Sequence, residues 1–320
     1  METNKLIEGY LTDSLQEDEK KAFLDQASSS EEFREELDQA ERAYAASWLP
    51  RFEDEKADVR PRGSVTRFPA WARIAVAAAI AAVCTLGGVL IRGRVDRKAI
   101  AQAALSGETR ITVPDGSRMK IALPDGSEVW LNASSSLSYQ GNFSASRQVE
   151  ISGEGYFNVR HDPLHPFIVK TDIMDVTVTG TVFNIRRYDD EPTAEVSLID
   201  GSVEVNPANS SVKKVLSPDN KAVVDAETGI ITVEGVDAVT SALWITGRLH
   251  FVDAPVSKML SEIARVKGVE FSYSPSILSG ERFTGNIRTS LSVDEILRCI
   301  DVDNKLEWTI DGDIVEIKMK

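Results

Sequence analysis

Cysteine is almost missing from this chain of 320 residues, which contains only Cys84 and Cys299. Cys84 lies inside an apolar run and Cys299 lies near the C-terminal end, so we expect no bond between them. Two such cysteines build neither a disulfide framework nor a cysteine-ligated metal site. They exclude folds stabilised in those two ways, and they do not decide the cellular compartment.

The residue patterns that usually carry catalysis are also scarce. The chain has three histidines, no glycine-rich phosphate loop and no GxSxG nucleophile motif. His161 and His165 have the spacing of two metal ligands on one helix face, but Pro163 and Pro166 exclude a regular helix there. A metal-binding loop is the minor alternative. We therefore predict a protein that is not an enzyme, with no cofactor and no catalytic or metal residue.

Basic residues are outnumbered, with 36 Lys and Arg against 50 Asp and Glu, for a net charge of −14. DNA binding needs basic patches that neutralise phosphates, so direct contact with nucleic acid is not expected. The acidity is concentrated in residues 1–50, which hold five basic and thirteen acidic side chains. Such a segment is either a solvated helical surface or a surface for a basic partner, such as a DNA-binding protein.

Charge is absent altogether from residues 74–91, which read IAVAAAIAAVCTLGGVLI. Eighteen residues form roughly 27 Å of helix, close to the hydrocarbon thickness of a bilayer. The sequence therefore predicts a transmembrane helix over residues 71–92, and a buried alanine-rich core helix is the alternative. Lys and Arg are nearly equal on the two sides, so charge does not set its orientation. The apolar side chains that represent this span are Ile74, Ile80, Leu86 and Ile91.

The N-terminal fifty residues have the pattern of short helices. Apolar side chains recur at helical spacing through the second of them, with acidic residues between. This stripe either packs on the preceding helix or lies in a partner's groove, and both can hold because fifty residues build only a small core. The candidate interface consists of Phe33, Leu37, Tyr44, Trp48, Glu32 and Glu36.

The rest of the chain divides into regions with different secondary-structure patterns. Short strand patterns with frequent turns, including PDG at 114–116 and 124–126, predict an all-β sandwich or roll over residues 109–234. Two strand–helix–strand patterns predict an α+β module over residues 244–320. Residues 51–70 and 93–108 are predicted linkers. The expected fold class is thus a multidomain membrane protein with a small all-α N-terminal domain (1–50), a single transmembrane helix, an all-β domain and an α+β C-terminal module.

The all-β region contains the successive blocks LPDGSEVWLNASSSLSYQ, RQVEISGEGYFNVR, HPFIVKT, VTVTGTVFNIRRY and EVSLIDGSVEV. In this order the blocks resemble those of the FecR family of membrane-anchored anti-sigma regulators. Residues 244–320 are similar to the C-terminal domain of FecR-like proteins from Bacteroidetes, and to the short N-terminal domains of secretins and TonB-dependent transducers. The motif positions, expected to be structural, are Pro124, Asp125, Gly126, Ser127, Gly153, Glu154, Gly180, Thr181 and Phe183.

The resemblance implies a single-pass inner-membrane protein with a cytoplasmic N-terminus and a periplasmic C-terminus. Residues 1–50 would sequester an extracytoplasmic-function (ECF) sigma factor. The periplasmic part would receive a signal from the signalling domain of a TonB-dependent outer-membrane transducer. Membrane lipid and an intramembrane protease are the further partners that this scheme implies. The alternative is an envelope-anchored scaffold, or a glycan- or partner-binding protein, without a transcriptional role.

Overall fold

The computed structural model describes residues 2–12, 14–16, 19, 23, 26, 30–48, 107–210, 212–301 and 304–320. The apolar run at 74–91, predicted to cross a membrane, lies outside these residues. None of the helices in the described part of the chain is long and apolar enough to span a bilayer.

Strands dominate the described residues. The α-helices are α1 (Glu2–Leu11), α2 (Glu31–Trp48), α3 (Phe143–Ser146), α4 (Val256–Lys267) and α5 (Val293–Ile300), and Ala238–Thr246 and Pro275–Leu278 form 3-10 helices. The strands are β1 (Glu108–Val113), β2 (Met119–Ala122), β3 (Glu128–Leu131), β4 (Ser135–Gln140), β5 (Gln148–Asn158), β6 (Phe167–Lys170), β7 (Met174–Val178), β8 (Val182–Arg187), β9 (Thr193–Asp200), β10 (Val203–Pro207), β11 (Lys214–Leu216), β12 (Asn220–Asp225), β13 (Ile231–Gly235), β14 (Arg248–Pro255), β15 (Glu270–Tyr273), β16 (Arg282–Arg288), β17 (Leu306–Asp311) and β18 (Ile314–Met319).

Strands β1–β13 form a sandwich, called here the β domain, in which two sheets share the long strand β5. One sheet has the order β1-β4-β5-β6-β7-β10-β11, and the other has the order β2-β3-β5-β8-β9-β12-β13. Its pairings are antiparallel apart from the parallel pair β5–β6. The first half of β5 pairs with β4 and β6, and its second half pairs with β3 and β8. The change of sheet falls at Gly153, where φ is +100°.

The middle of the second sheet, at β8, is buried on both faces, and this positions the rest of the molecule. Along β8, Phe183 and Ile185 point into the sandwich core, while Val182, Asn184 and Arg186 alternate to the outer face. All six residues of β8 are nevertheless buried. The outer face is covered because the C-terminal part of the chain packs on it.

That C-terminal part, β14 to β18 with α4 and α5, is called here the module. It contains an antiparallel pair β14–β16 and a three-stranded sheet β15-β18-β17, in which β15 and β18 run parallel. The amphipathic helix α4 buries Met259, Leu260 and Ile263, and it ends at Gly268, which has φ +65°. Helix α5 begins at a capping box in which Ser292 and Glu295 satisfy each other's backbone N–H groups.

The predicted fold class is wrong in two respects. Within the described residues no helix can cross a membrane, and the N-terminal segment is not a separate all-α domain. Ile7 of α1 and Phe33 of α2 form a small cluster with Phe23. Helix α2 also contacts the 3-10 helix Ala238–Thr246, and both helices contact arginines of the module. The physical reason is size, because a segment of about fifty residues buries too little apolar surface to form a large independent core.

Candidate functional site

The predicted N-terminal stripe is divided between an internal core and the surface. Phe33 is buried, with its ring edge-on to Phe23 at 5.4 Å between centroids, and Leu37 packs on the same cluster. Glu32 and Glu36 are exposed on α2. The structure therefore uses the first apolar residues of the stripe inside the segment and leaves the acidic residues at the surface.

The other end of α2 reaches the module. The ring of Tyr44 lies 5.2 Å from the guanidinium of Arg248, which is a cation–π distance. Trp48 is the last residue of α2. From α1, the carbonyl of Leu11 accepts a hydrogen bond from Arg248 at 3.2 Å. The N-terminal segment and the module thus contact each other through an arginine of β14.

Arg288 makes a second contact of the same kind. It is the cross-strand neighbour of Arg248 in the pair β14–β16. It donates to the carbonyl of Tyr10, and its guanidinium lies 3.4 Å from the centroid of the Tyr10 ring. Two neighbouring arginines at one end of this sheet therefore hold the last turn of α1.

The motif at 124–127 is a turn fastened by a buried arginine. Pro124 opens the turn, and Gly126 takes φ +87° within it. The carboxylate of Asp125 accepts from the Ser127 N–H at 2.9 Å, the Ser127 hydroxyl at 2.8 Å and Arg147 Nε at 2.9 Å. Because Arg147 also donates to two loop carbonyls, the motif ties three segments of the β domain together.

Gly153 and Glu154 stand where β5 changes sheets. A Cβ on Gly153 would lie 2.7 Å from the Cα of Ser135, so only glycine fits. The buried carboxylate of Glu154 accepts from Asn132 Nδ2 at 2.8 Å and from Asn184 Nδ2 at 3.0 Å. Burial raises the pKa of Glu154, and it outweighs the nearby charge of Arg186, which lowers it.

The remaining motif residues are also placed inside the fold. A Cβ on Gly180 would lie 2.6 Å from the Cα of His161. The Thr181 hydroxyl donates to the carbonyl of Ser202 at 2.9 Å. Phe183 stacks on Phe157 at 5.1 Å between ring centroids. These contacts give each of the three positions a role in packing the β domain.

A buried ionic cluster joins the β domain to α4 of the module. Arg186 lies 2.5 Å from Glu191 and 2.6 Å from Glu262, and Arg265 lies 2.9 Å from Glu191. Burial tends to raise the pKa of Glu191, but the hydrogen bond from Arg186 and the charges of both arginines prevail, so its pKa is lowered. With Glu154, these residues are called here the latch: Glu154, Arg186, Glu191, Glu262 and Arg265.

Sequence reasoning missed the latch as a site. The segment NIRRYDDE was visible, with two arginines at a strand end and three acidic residues soon after. Polar residues that alternate with apolar ones normally indicate a solvent-facing side of a strand. Here that side faces the module, which the local pattern does not reveal.

A cleft of about 720 Å³ lies beside the latch, between the β domain and the module. Several of its charged side chains are paired with one another. Lys221 lies 2.8 Å from Glu234 and 3.4 Å from Glu195, and Lys258 also lies 3.4 Å from Glu195. These ion pairs hold the walls of the cleft together, and its lining contains more carboxylates than Lys and Arg side chains.

His161 and His165 both lie in the loop between β5 and β6. His165 Nδ1 is 2.9 Å from the Asp162 carboxylate, and this pair is exposed to solvent. Across the described residues, no group of three His, Cys, Asp or Glu side chains is placed to hold a metal ion.

Residues 109–204 match the model of the FecR protein family, and residues 248–317 match the model of the FecR C-terminal domain. No curated protein matches the chain.

Two solved structures of a candidate anti-sigma factor from Parabacteroides distasonis are similar to this chain. Both are 29% identical to it, with a TM-score of 0.61. The alignments cover 67% and 66% of this chain and 100% and 99% of the other chains. The protein therefore belongs to the FecR family of anti-sigma factors.

Proposed function

We propose that this protein sequesters an ECF sigma factor through its N-terminal helices and releases or activates it in response to a signal received by the C-terminal module. The family supports the regulatory part of this proposal. The observation that carries the sigma-factor part is the acidic surface of α2, where Glu32, Glu35 and Glu36 are exposed. Acidic side chains complement a basic DNA-binding surface and speed association with it.

The test is co-purification of the full-length chain with each ECF sigma factor of the same cell, expressed one at a time. Charge reversal in Glu32→Lys with Glu36→Lys is expected to weaken binding at least tenfold, because it places positive charge opposite a basic surface. Both residues are exposed, so the change leaves the Phe33 cluster intact. Glu227→Lys, at an exposed turn of the β domain, is the matched control and should bind normally.

The outcomes separate the parts of the proposal. If no sigma factor co-purifies and deletion of residues 1–50 leaves transcription unchanged, the scaffold alternative is favoured. If a sigma factor binds and the double reversal has no effect, the acidic surface is not the interface. Phe33→Asp tests the apolar cluster separately, because it should unfold the helix pair rather than alter a surface contact.

We further propose that the signal comes from the signalling domain of a TonB-dependent outer-membrane transducer. Among the described residues, strands β15 and β17 each pair on one side only, with β18, so both edges of this sheet offer backbone groups to an incoming strand. Calorimetric titration of the full-length chain with such a signalling domain tests the proposal. If the chain binds none of the signalling domains of the transducers in the same cell, this partner is wrong.

The inner-membrane location, with a cytoplasmic N-terminus and periplasmic C-terminus, stays a prediction. It rests on residues outside the described part of the chain, as do the lipid and protease partners. Reporter fusions at both termini decide it. The contacts of Tyr10 and Leu11 with the module can form only when the N-terminal helices and the module are in the same compartment. A disulfide crosslink between Leu11→Cys and Arg248→Cys in cells would therefore contradict a cytoplasmic N-terminus with a periplasmic module.

A further inference from the structure

The β domain and the module share one apolar core across their boundary. Trp130, Tyr156 and Val182 point outward from the second sheet and pack with module residues that include Leu249 and Met259. Tyr156 and Met259 are fully buried in this cluster. Because separation of the two parts would expose large apolar side chains to water, the contact is strongly favoured.

The connection between the two parts is fixed rather than loose. The indole N–H of Trp244, in the connecting 3-10 helix, donates to Asn184 Oδ1 of β8 at 3.1 Å. Arg118 donates to the carbonyls of Trp244 and Ile245 in the same helix. At the far side of the boundary, the Gly116 N–H donates to the carbonyl of Arg265 at 2.8 Å. Contacts at both ends oppose rotation of the module.

The latch adds a buried, directional contact to this apolar one. Arg186 is shared between two carboxylates of its own domain, Glu154 and Glu191, and Glu262 of α4. Arg265 of α4 reaches back to Glu191 and Asp190, and its guanidinium lies 3.9 Å from the ring centroid of Tyr188. Apolar contacts hold two surfaces together in many orientations, whereas charge-assisted hydrogen bonds require one.

We infer that the β domain and the module act as a single rigid receiving unit, in which the latch sets the orientation of the module. In this unit a partner bound to the module moves both parts together. The connecting segment 236–247 is not a hinge. The latch residues are positioning residues, and only the role of the unit in signal relay rests on the proposed function.

The related structures support a fixed pairing of the two parts. Each alignment extends over about two thirds of this chain and essentially all of the neighbour. That span is longer than the β domain or the module alone. Each alignment therefore extends beyond either part taken alone.

Scanning calorimetry of the full-length protein tests the inference. The β domain and the module are expected to unfold in one transition. Arg265→Met removes one of the two arginines that face Glu191 and the contact of α4 with the Tyr188 ring, so the transition should fall by at least about 5 °C and separate into two. Lys258→Met is the matched control, because Lys258 also lies on α4 and pairs with the β domain, but it is half-exposed. It should shift the transition little.

Two further measurements keep the inference falsifiable if Arg265→Met does not fold. Glu262→Gln keeps the side-chain volume and should raise hydrogen exchange in segment 236–247 at least tenfold over the native chain. In cells, both variants should still repress the sigma-dependent promoter and lose the response to inducer.

Two separate transitions in the native protein, or a single unshifted one in Arg265→Met, would overturn the rigid unit. Failure of the native chain to repress the promoter would instead count against the proposed function and leave the calorimetric result standing.

Discussion

At the scale of single residues, the family motifs are positions where close backbone packing requires glycine or where a carboxylate is held by several hydrogen bonds. Asp125 accepts three hydrogen bonds and fastens its turn to Arg147. Glu154 is held by two asparagine amides and lies near Arg186. Such positions stabilise the fold of the β domain.

Gly153→Ala should destabilise the β domain by about 3 kcal/mol or more, because the added methyl group meets the backbone of Ser135 at a positive φ. Urea unfolding measures the loss. Gly235→Ala provides the comparison, since a Cβ there has open space and no positive φ. Equal stability of both variants would show that β5 can change sheets without glycine.

At the scale of elements, each helix of the module has local features that fix where it begins or ends. Helix α4 ends at the left-handed Gly268, and α5 begins at the box of Ser292 and Glu295. Val256, Leu260 and Ile263 are buried together on one face of α4. Local chemistry and the tertiary contacts therefore agree in this part of the chain.

Removal of the cap of α5 by Ser292→Ala should lower the free energy of unfolding by about 1 kcal/mol, because the Glu295 N–H loses its acceptor. Equilibrium urea denaturation is the measurement. Ser276→Ala, at an exposed position of the second 3-10 helix, is the control. A loss as large in Ser276→Ala would show that the cap contributes nothing specific.

At the scale of the whole molecule, the boundary between the β domain and the module depends on ionised groups. Glu191 faces Arg186 and Arg265, and Glu195 faces Lys221 and Lys258. Burial tends to raise the pKa of both carboxylates, but the neighbouring cations prevail and lower it. Glu154 behaves in the opposite way, because its burial prevails.

Acid should therefore weaken the assembled molecule. A carboxyl group with a lowered folded pKa stabilises the native state above its unfolded pKa of about 4.3, and this stabilisation is lost as pH falls through the folded value. The melting temperature is expected to fall between about pH 5 and pH 3. Glu154 has a raised pKa and partly compensates, so Glu154→Gln should make the fall steeper. A melting temperature independent of pH over this range would contradict the assignment.

The sequence by itself determined the local features. It predicts the PDG turns, the short strands of residues 109–234 and the strand–helix–strand patterns of residues 244–320, because turn chemistry and side-chain periodicity are properties of neighbouring residues. It also carried the family resemblance, which the domain matches confirm. The predicted interface on Glu32 and Glu36 remains a prediction.

The tertiary structure alone decided what covers each face. Asn184 and Arg186 have the pattern of a solvated strand face, yet they lie under the module. Phe33 belongs to a stripe whose pattern fits both internal packing and a partner's groove, and in the fold it packs on Phe23. Periodicity reports which side chains share a face, and it contains no information about the distant segment that packs there. That segment is chosen by the summed apolar area and charge complementarity of the whole chain, which only the folded molecule brings together.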